Sequence, residues 1–460
     1  MSTDVRAQPV ANIPILLLCA VVLIVAVLGG GGRGGLGDVL AQQLAIILLA
    51  FLGVQALRDR LSWRAAPWVR WLPALALLLP LLQLLPIPIA MWTTGSARAE
   101  LAAQLAQVGV APLQMISLNP TATEEALWTL LPATGLFLAT LTLPRKSQQV
   151  LLLIILLLAV ASVLFGMAQL AGGTQSPLRL YRPTNADQAV GFFANRNHLA
   201  SLLSMALALT LAGTAWAVVE RLAGRRLSVL WIFAGSGLVI LFLLGIALAR
   251  SRAGVLLAMV AVLGTLPIVM GLRHQRGTKR FLAITLGVAV MLSVQFGMFG
   301  LLQRVGSDPF EDGRWKYART TSQAAAAYSP IGSGLGTFQQ AYQPFEAKCS
   351  PSRAIVNHAH NDYLELWLEG GLPALLLLGL GAVAWGRRGL QLWRRSPEPG
   401  TSESWSNLLT RAAWLAASLA LIHSALDYPL RTTALSAVFA IAAAVAFSDP
   451  TYRARRAPTA

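Results

Sequence analysis

Apolar residues fall in long unbroken blocks, and polar residues collect in the stretches between them. Blocks such as 150–158 hold no polar residue. A membrane barrel would instead alternate apolar and polar positions over about ten residues, so it is excluded. A helix needs roughly 20 apolar residues to cross the hydrocarbon. On that measure the blocks predict twelve spans, at 13–28, 39–57, 71–92, 126–143, 149–171, 198–219, 228–249, 253–272, 281–302, 364–386, 408–426 and 433–447.

Two stretches outside the spans are long. Residues 93–125 are modestly amphipathic and are expected to lie along the membrane surface without contributing chemistry. Residues 303–363 form a large outer loop between the ninth and tenth spans. It reads as a helix over 312–327, a turn over 328–336 marked by Pro330 and three glycines, and then extended chain. Gly332-x-Gly334-x-Gly336 is turn geometry, since no strand or βαβ unit surrounds it as a nucleotide fingerprint requires. No internal repeat is visible. The expectation is one integral membrane domain over residues 1–460, an all-α polytopic bundle, with 303–363 as a loop within it.

Composition agrees. The chain is 56% hydrophobic with mean hydropathy +0.62, where a soluble domain has about 45–50% apolar residues. Basic residues fix the orientation, because short positive loops stay cytoplasmic. Arg58, Arg60, Arg64 and Arg70, then Arg145 and Lys146, Arg221 to Arg226, Arg273 to Arg280, Arg387 to Arg395 and Arg453 to Arg456 fall in alternate loops. That side holds 22 of the 36 basic residues against six acidic ones, so nearly all of the net +17 lies there. Both termini are therefore expected to be cytoplasmic, in an inner membrane. Anionic lipid headgroups suffice as partners for the charge, and nucleic acid need not be invoked. The first apolar block follows a single Arg6 and precedes a glycine-rich stretch without a small-x-small site, which predicts a retained helix. Cys19 and Cys349, one inside a span and one in the outer loop, are not expected to pair.

Chemistry concentrates at the outer ends of three spans. The sixth opens on Asn195-Arg196-Asn197-His198, the eighth on Arg250-Ser251-Arg252 and the tenth on His358-Ala359-His360-Asn361. Helix N-termini favour anions, and guanidinium groups hold phosphate oxygens bidentately. Arg196 and Arg252 are thus candidate anion ligands, with Asn195, Asn197 and Arg250 as neighbouring substrate contacts. Simple snorkelling into the headgroup layer is the plainer account. Against it, these arginines stand on the side that topology leaves poor in arginine.

His360 has three readings. An imidazole titrates near neutrality and suits a general base. His358, His360, Asp362 and Glu365 could instead hold a metal ion. Asp362 and Glu365 also have the spacing of a capping box, with Glu369 a turn later, which leaves both histidines unexplained. Arg314, beside Trp315 and Lys316 on the loop helix, and Tyr428 and Arg431 in the last outer connection are further candidates. A transporter of a small anion or a lipid-linked sugar is the alternative function. It would show ionisable residues or broken helices near the midplane in paired positions, and none is seen.

In order and spacing these motifs resemble the O-antigen ligase and polymerase superfamily of bacterial envelope proteins. The resemblance covers about residues 185–380. It rests on Phe193-x-Asn195-Arg196-Asn197, Ser251-Arg252-x-Gly254, Arg314-Trp315 with Pro330-x-Gly332-x-Gly334-x-Gly336-x-Phe338, and His358-x-His360-Asn361-x-x-Leu364 with Glu369-Gly370-Gly371. It implies a GT-C glycosyltransferase moving a glycan from an undecaprenyl diphosphate carrier to a sugar hydroxyl on a glycan or lipid A-core acceptor, at the periplasmic face. No metal or other cofactor is implied. Arg196 and Arg252 would hold the diphosphate and His360 would deprotonate the acceptor, with inversion at the anomeric carbon; His358 and Asn361 would contact substrate. The ligase pattern usually has glycine at the position of Ala374, so ligase and polymerase both stay open.

Overall fold

In hydrocarbon every backbone N–H and C=O must find a partner within its own segment, so apolar blocks of this length wind into helices. The computed structural model describes residues 12–270 apart from 33, 113, 182–186, 223 and 225, the isolated positions 287 and 291, and residues 309–346, 355–394 and 402–449. The expected ninth span at 281–302, apart from those two positions, lies outside the described residues, as do Cys349 and both termini.

Fifteen α-helices are described, besides three short 3₁₀ helices: α1 Asn12–Gly29, α2 Leu36–Leu57, α3 Trp71–Gln83, α4 Ile89–Trp92, α5 Ser96–Gln107, α6 Pro120–Thr142, α7 Arg145–Ala171, α8 Arg196–Leu222, α9 Val229–Leu248, α10 Arg252–Met270, α11 Pro309–Tyr328, α12 Phe338–Tyr342, α13 Asp362–Arg394, α14 Ser402–Ser424 and α15 Thr433–Phe447. Among the described residues there is no strand, only an isolated bridge between Pro86 and Met115. Among the described residues seven helices are long and apolar enough to cross a membrane (α1, α2, α6, α7, α8, α9 and α13), and α10 and α15 are shorter apolar helices.

The expected twelve include the ninth, which lies outside the described residues, and the departure at 71–92 has a local cause. Pro86 and Pro88 cannot continue a helix, so α3 stops at Gln83 and only a single turn follows at α4. Thirteen residues reach about 20 Å, short of the roughly 30 Å hydrocarbon.

The core is built on α8 and α15. Of the 15 residues of α15, 13 are buried, and the helix packs against α6, α14 and α1. Its alanines let neighbouring backbones approach closely, which is how helices gain contact where hydrocarbon removes the usual drive to associate. Helix α8 packs in turn on α9, α10 and α14.

Above one end of the bundle, α11, α12 and the turn at 329–336 enclose a second apolar cluster that includes Tyr328, Phe338, Tyr342 and Leu368. The sequence predicted the first helix and the turn; the expected extended chain instead contains α12, because Phe338 and Tyr342 turn inward and stack at 5.1 Å. Residues 93–125 belong to this layer too. Arg98 of α5 is wholly buried and donates to the carbonyls of Ile116 and Gly332, so the segment is fastened to the loop by polar bonds.

Helix α13 is interrupted at Gly371, whose φ of 59° and ψ of −151° are not helical. The interruption admits the glycine turn. Leu372 N donates to Pro330 O (2.8 Å), Ser333 N to Leu368 O (3.0 Å) and Gly334 N to Glu369 O (2.8 Å). A Cβ on Gly371 would collide with Pro330 O and Gly332 N.

Candidate active site

A cleft of about 900 Å³ opens between the bundle and the loop layer. It brings together Asn195, Arg196, Asn197, Arg314, His358, His360, Tyr428 and Arg431, all of them sequence candidates. Arg252 begins α10, half-buried, and is not in this lining. Arg250 and Asn361 also lie outside the lining. Arg250 pairs with Asp187 at 3.2 Å on an exposed surface. Asn361 caps α13, its Oδ1 accepting from Tyr363 N and Leu364 N at 3.0 Å.

That cap corrects the expected capping box. Asn361, not Asp362, satisfies the first N–H groups, which releases Asp362, Glu365 and Glu369 to face one guanidinium. Arg431 Nη1 lies 2.7 Å from Glu369 Oε2 and 3.2 Å from Glu365 Oε1, and its Nε lies 3.5 Å from Asp362 Oδ1. Burial alone would weaken the Arg431 charge, but Glu365, Glu369 and Asp362 outweigh it and hold the group firmly protonated. Glu369 also accepts from Gly336 N and Phe338 N through Oε1, so one carboxylate ties the loop layer to Arg431.

The two histidines of the 357–362 stretch separate. His358 Nδ1 meets Glu365 Oε1 at 2.8 Å, while its ring stacks on Tyr428 with centroids 4.1 Å apart. His360, at a positive φ of 52°, turns the other way and meets Asp427 Oδ1 through Nδ1 at 3.0 Å. The His358, His360, Asp362 and Glu365 side chains therefore do not share a ligand centre, and no three His, Cys, Asp or Glu side chains among the described residues are arranged to hold a metal ion.

Asp427 is the residue that sequence reasoning missed. It is fully buried. Its Oδ2 accepts from Asn197 Nδ2 (2.6 Å) and Asn195 Nδ2 (3.4 Å), and its Oδ1 accepts from Tyr428 N (3.0 Å) as well as facing His360. Burial works against its charge, yet the His360 hydrogen bond and the nearby His360, His198 and His423 rings hold it well below the usual carboxylate range. An ionised carboxylate only accepts, so His360 Nδ1 carries the proton of this hydrogen bond, which makes Nε2 the acceptor nitrogen whenever the ring is neutral. Asn197 continues the chain, since Ser251 Oγ donates to its Oδ1 at 2.7 Å. Ser251, Asn197, Asp427 and His360 thereby link the N-terminal ends of α8, α10 and α13 in one run of hydrogen bonds. The signal available in the sequence was a lone acid between two spans with no basic neighbour until Arg431.

Cations flank this pair. Arg314 Nη2 lies 4.0 Å from Asp427 Oδ2, and Arg196 Nη1 donates to Gln188 Oε1 at 2.6 Å while lining the cleft. Tyr317 of α11 stacks on His360 at 6.1 Å.

Residues 237–379, from α9 into α13, match the family model described as O-antigen ligase. That segment is similar to an O-antigen ligase domain. No curated protein matches the chain. The matched segment supplies Arg252, Arg314, His358, His360 and the carboxylates of α13, whereas Asn195, Arg196, Asn197, Asp427, Tyr428 and Arg431 come from outside it. The cleft is therefore assembled from the matched segment and from helix ends on both sides of it in sequence.

Proposed function

We propose that this membrane protein of the O-antigen ligase and polymerase type transfers a glycan from an undecaprenyl diphosphate carrier to a hydroxyl of a glycan or lipid A-core acceptor. The observation that carries the reading is the His360 and Asp427 pair opening on the same cleft as Arg196 and Arg314. His360 Nε2 takes the acceptor hydroxyl proton, and the oxygen attacks the anomeric carbon as the bond to the diphosphate oxygen breaks. Asp427 orients the ring and stabilises the imidazolium that forms, as the buried aspartate does in a hydrolase triad. One displacement inverts the anomeric centre.

The leaving diphosphate gains charge, and fixed cations aimed at that charge form the larger electrostatic share of such catalysis. Arg196 and Arg314 suit that role, whereas Arg252, expected to share it, does not line the cleft. Arg431 suits it less, because three carboxylates already match its charge; it holds the Tyr428 turn against α13. The distribution of basic loops supports cytoplasmic termini and a periplasmic cleft.

Reconstitution with a lipid-linked glycan and its acceptor tests the reading. His360→Ala is expected to insert normally and to lose about 10²- to 10⁴-fold in transfer rate. Arg196→Lys is expected to raise the donor KM, since a point charge replaces a planar fork. Wild-type turnover in His360→Ala would remove the proposed base. Deletion of the gene separates ligase from polymerase: a ligase defect leaves long polymer on the carrier, a polymerase defect single repeat units.

A further inference from the structure

The cleft continues past the reacting pair. A second hollow of about 380 Å³ is lined by Asn119, Thr121, Glu125, Gln339 and Gln340 together with backbone at Ala122 and Gly336. Glu125, Gly336 and Gln339 line the main cleft as well, so the two spaces share a wall. Trp128 and Thr129 follow Glu125 by three and four residues along α6, which puts them on the same helical face, and both line the main cleft. Trp128 is 39% exposed, and its Nε1 donates to Glu124 Oε1 at 3.3 Å, which steadies the ring.

The chemistry of this wall differs from that beside His360. Three side-chain amides, a hydroxyl and a carboxylate line the hollow, with no lysine or arginine among them. It is therefore not built for phosphate, and it offers a prenyl chain little apolar surface. The groups present pair donors with acceptors. Asn119 uses Oδ1 to accept from Ala122 N, leaving its NH₂ as a donor, and Gln339 donates Nε2 to Asn357 Oδ1 at 2.8 Å, leaving its Oε1 as an acceptor. Vicinal hydroxyls of a sugar ring ask for that mixture, and a tryptophan with one apolar face suits the C–H face of the same ring. The volume lies within the range of sites that hold a small ligand.

We propose that Glu125, Trp128, Gln339 and Gln340, with Asn119 and Thr121, form a sugar subsite that holds a neutral pyranose of the glycan one or more residues away from the reacting carbon. The proposal rests on the transfer reading for the origin of the sugar, which belongs to the donor or the acceptor saccharide.

Saturation-transfer NMR on the full chain in nanodiscs tests it, using as probe the free oligosaccharide released by mild acid from the producing strain's lipid-linked glycan. Wild type and His360→Ala are expected to bind the probe alike. Gln340→Ala and, separately, Trp128→Ala are expected to weaken binding about tenfold, as loss of one good contact does. In transfer assays both variants raise one KM while kcat stays within about twofold, the pattern of lost uniform binding. A raised donor KM assigns the sugar to the donor, and a raised acceptor KM to the acceptor. Unchanged binding and KM in both variants overturns the subsite, as does a wild type that binds no saccharide. A protein that binds the saccharide through these residues yet transfers none leaves the subsite standing and removes the transfer reading instead.

Discussion

An aspartate that accepts from an imidazole, two side-chain amides and a backbone N–H cannot become an amide without conflict. In Asp427→Asn one donor must face another, and a buried group left without its partner costs about 1–3 kcal/mol. The single carbonyl oxygen cannot serve both His360 and Asn197, and a neutral amide no longer stabilises the imidazolium, so transfer is expected to fall by about 10²-fold or more even where protein accumulates. Initial rates on reconstituted enzyme check this. The depressed Asp427 pKa has a consequence for stability as well. Its contribution is complete above the ordinary unfolded value of about 3.9 and is lost as pH falls through the lower folded value. The gap in unfolding temperature between wild type and Asp427→Asn should therefore be constant near neutrality and narrow below about pH 4. His358 and His360 stood out in the sequence because histidine is scarce in this chain. Asp427 did not, because an aspartate between two spans looks like any solvated connection until its four donors are seen.

The elements with the simplest causes were the most legible. Helix α15 has the bounds the apolar block gave it, and α13 starts two residues before the expected 364. What the blocks hid were interruptions. Proline breaks after α3 and the glycine break in α13 both sit in apolar surroundings, so the count of apolar residues runs straight through them. Only the contact between residues 330–334 and 368–372 explains why Gly371 leaves the helical region. Gly371→Ala is expected to cost about 1–3 kcal/mol from backbone strain, with further loss from the collision against the 330–332 turn. Gly379→Ala, in the same helix with open space around its Cβ, should be neutral or gain up to about 1 kcal/mol from helix propensity. Thermal unfolding of the two variants in one detergent makes the comparison.

At the scale of the molecule, the charge asymmetry of the loops led to the expectation that three helix N-termini share a side; the starts of α8 and α13 line one cleft, and α10 joins them through Ser251 and Asn197 without lining it. The links between them run through Ser251, Asn197 and Asp427, residues too far apart in sequence for any local pattern to pair them. Orientation has a direct measurement. Ile355 is 77% exposed at the cleft and Leu57 is 89% exposed at the opposite, basic side. In a Cys349→Ser background, Ile355→Cys should react with an impermeant maleimide applied to intact spheroplasts, and Leu57→Cys only after the membrane is opened. The reverse labelling would invert the topology and move the cleft to the cytoplasm.

The burial of α15 bears on how the chain is made. At 15 residues it reaches only about 22 Å, too short to lodge in a bilayer by itself, yet α1, α6 and α14 all rest on it. The earlier helices must therefore wait at the insertion machinery with a vacant slot between them until synthesis has passed Phe447. A ribosome that stalls before Thr433 would leave that slot open, offering a lipid-facing gap for membrane proteases to recognise.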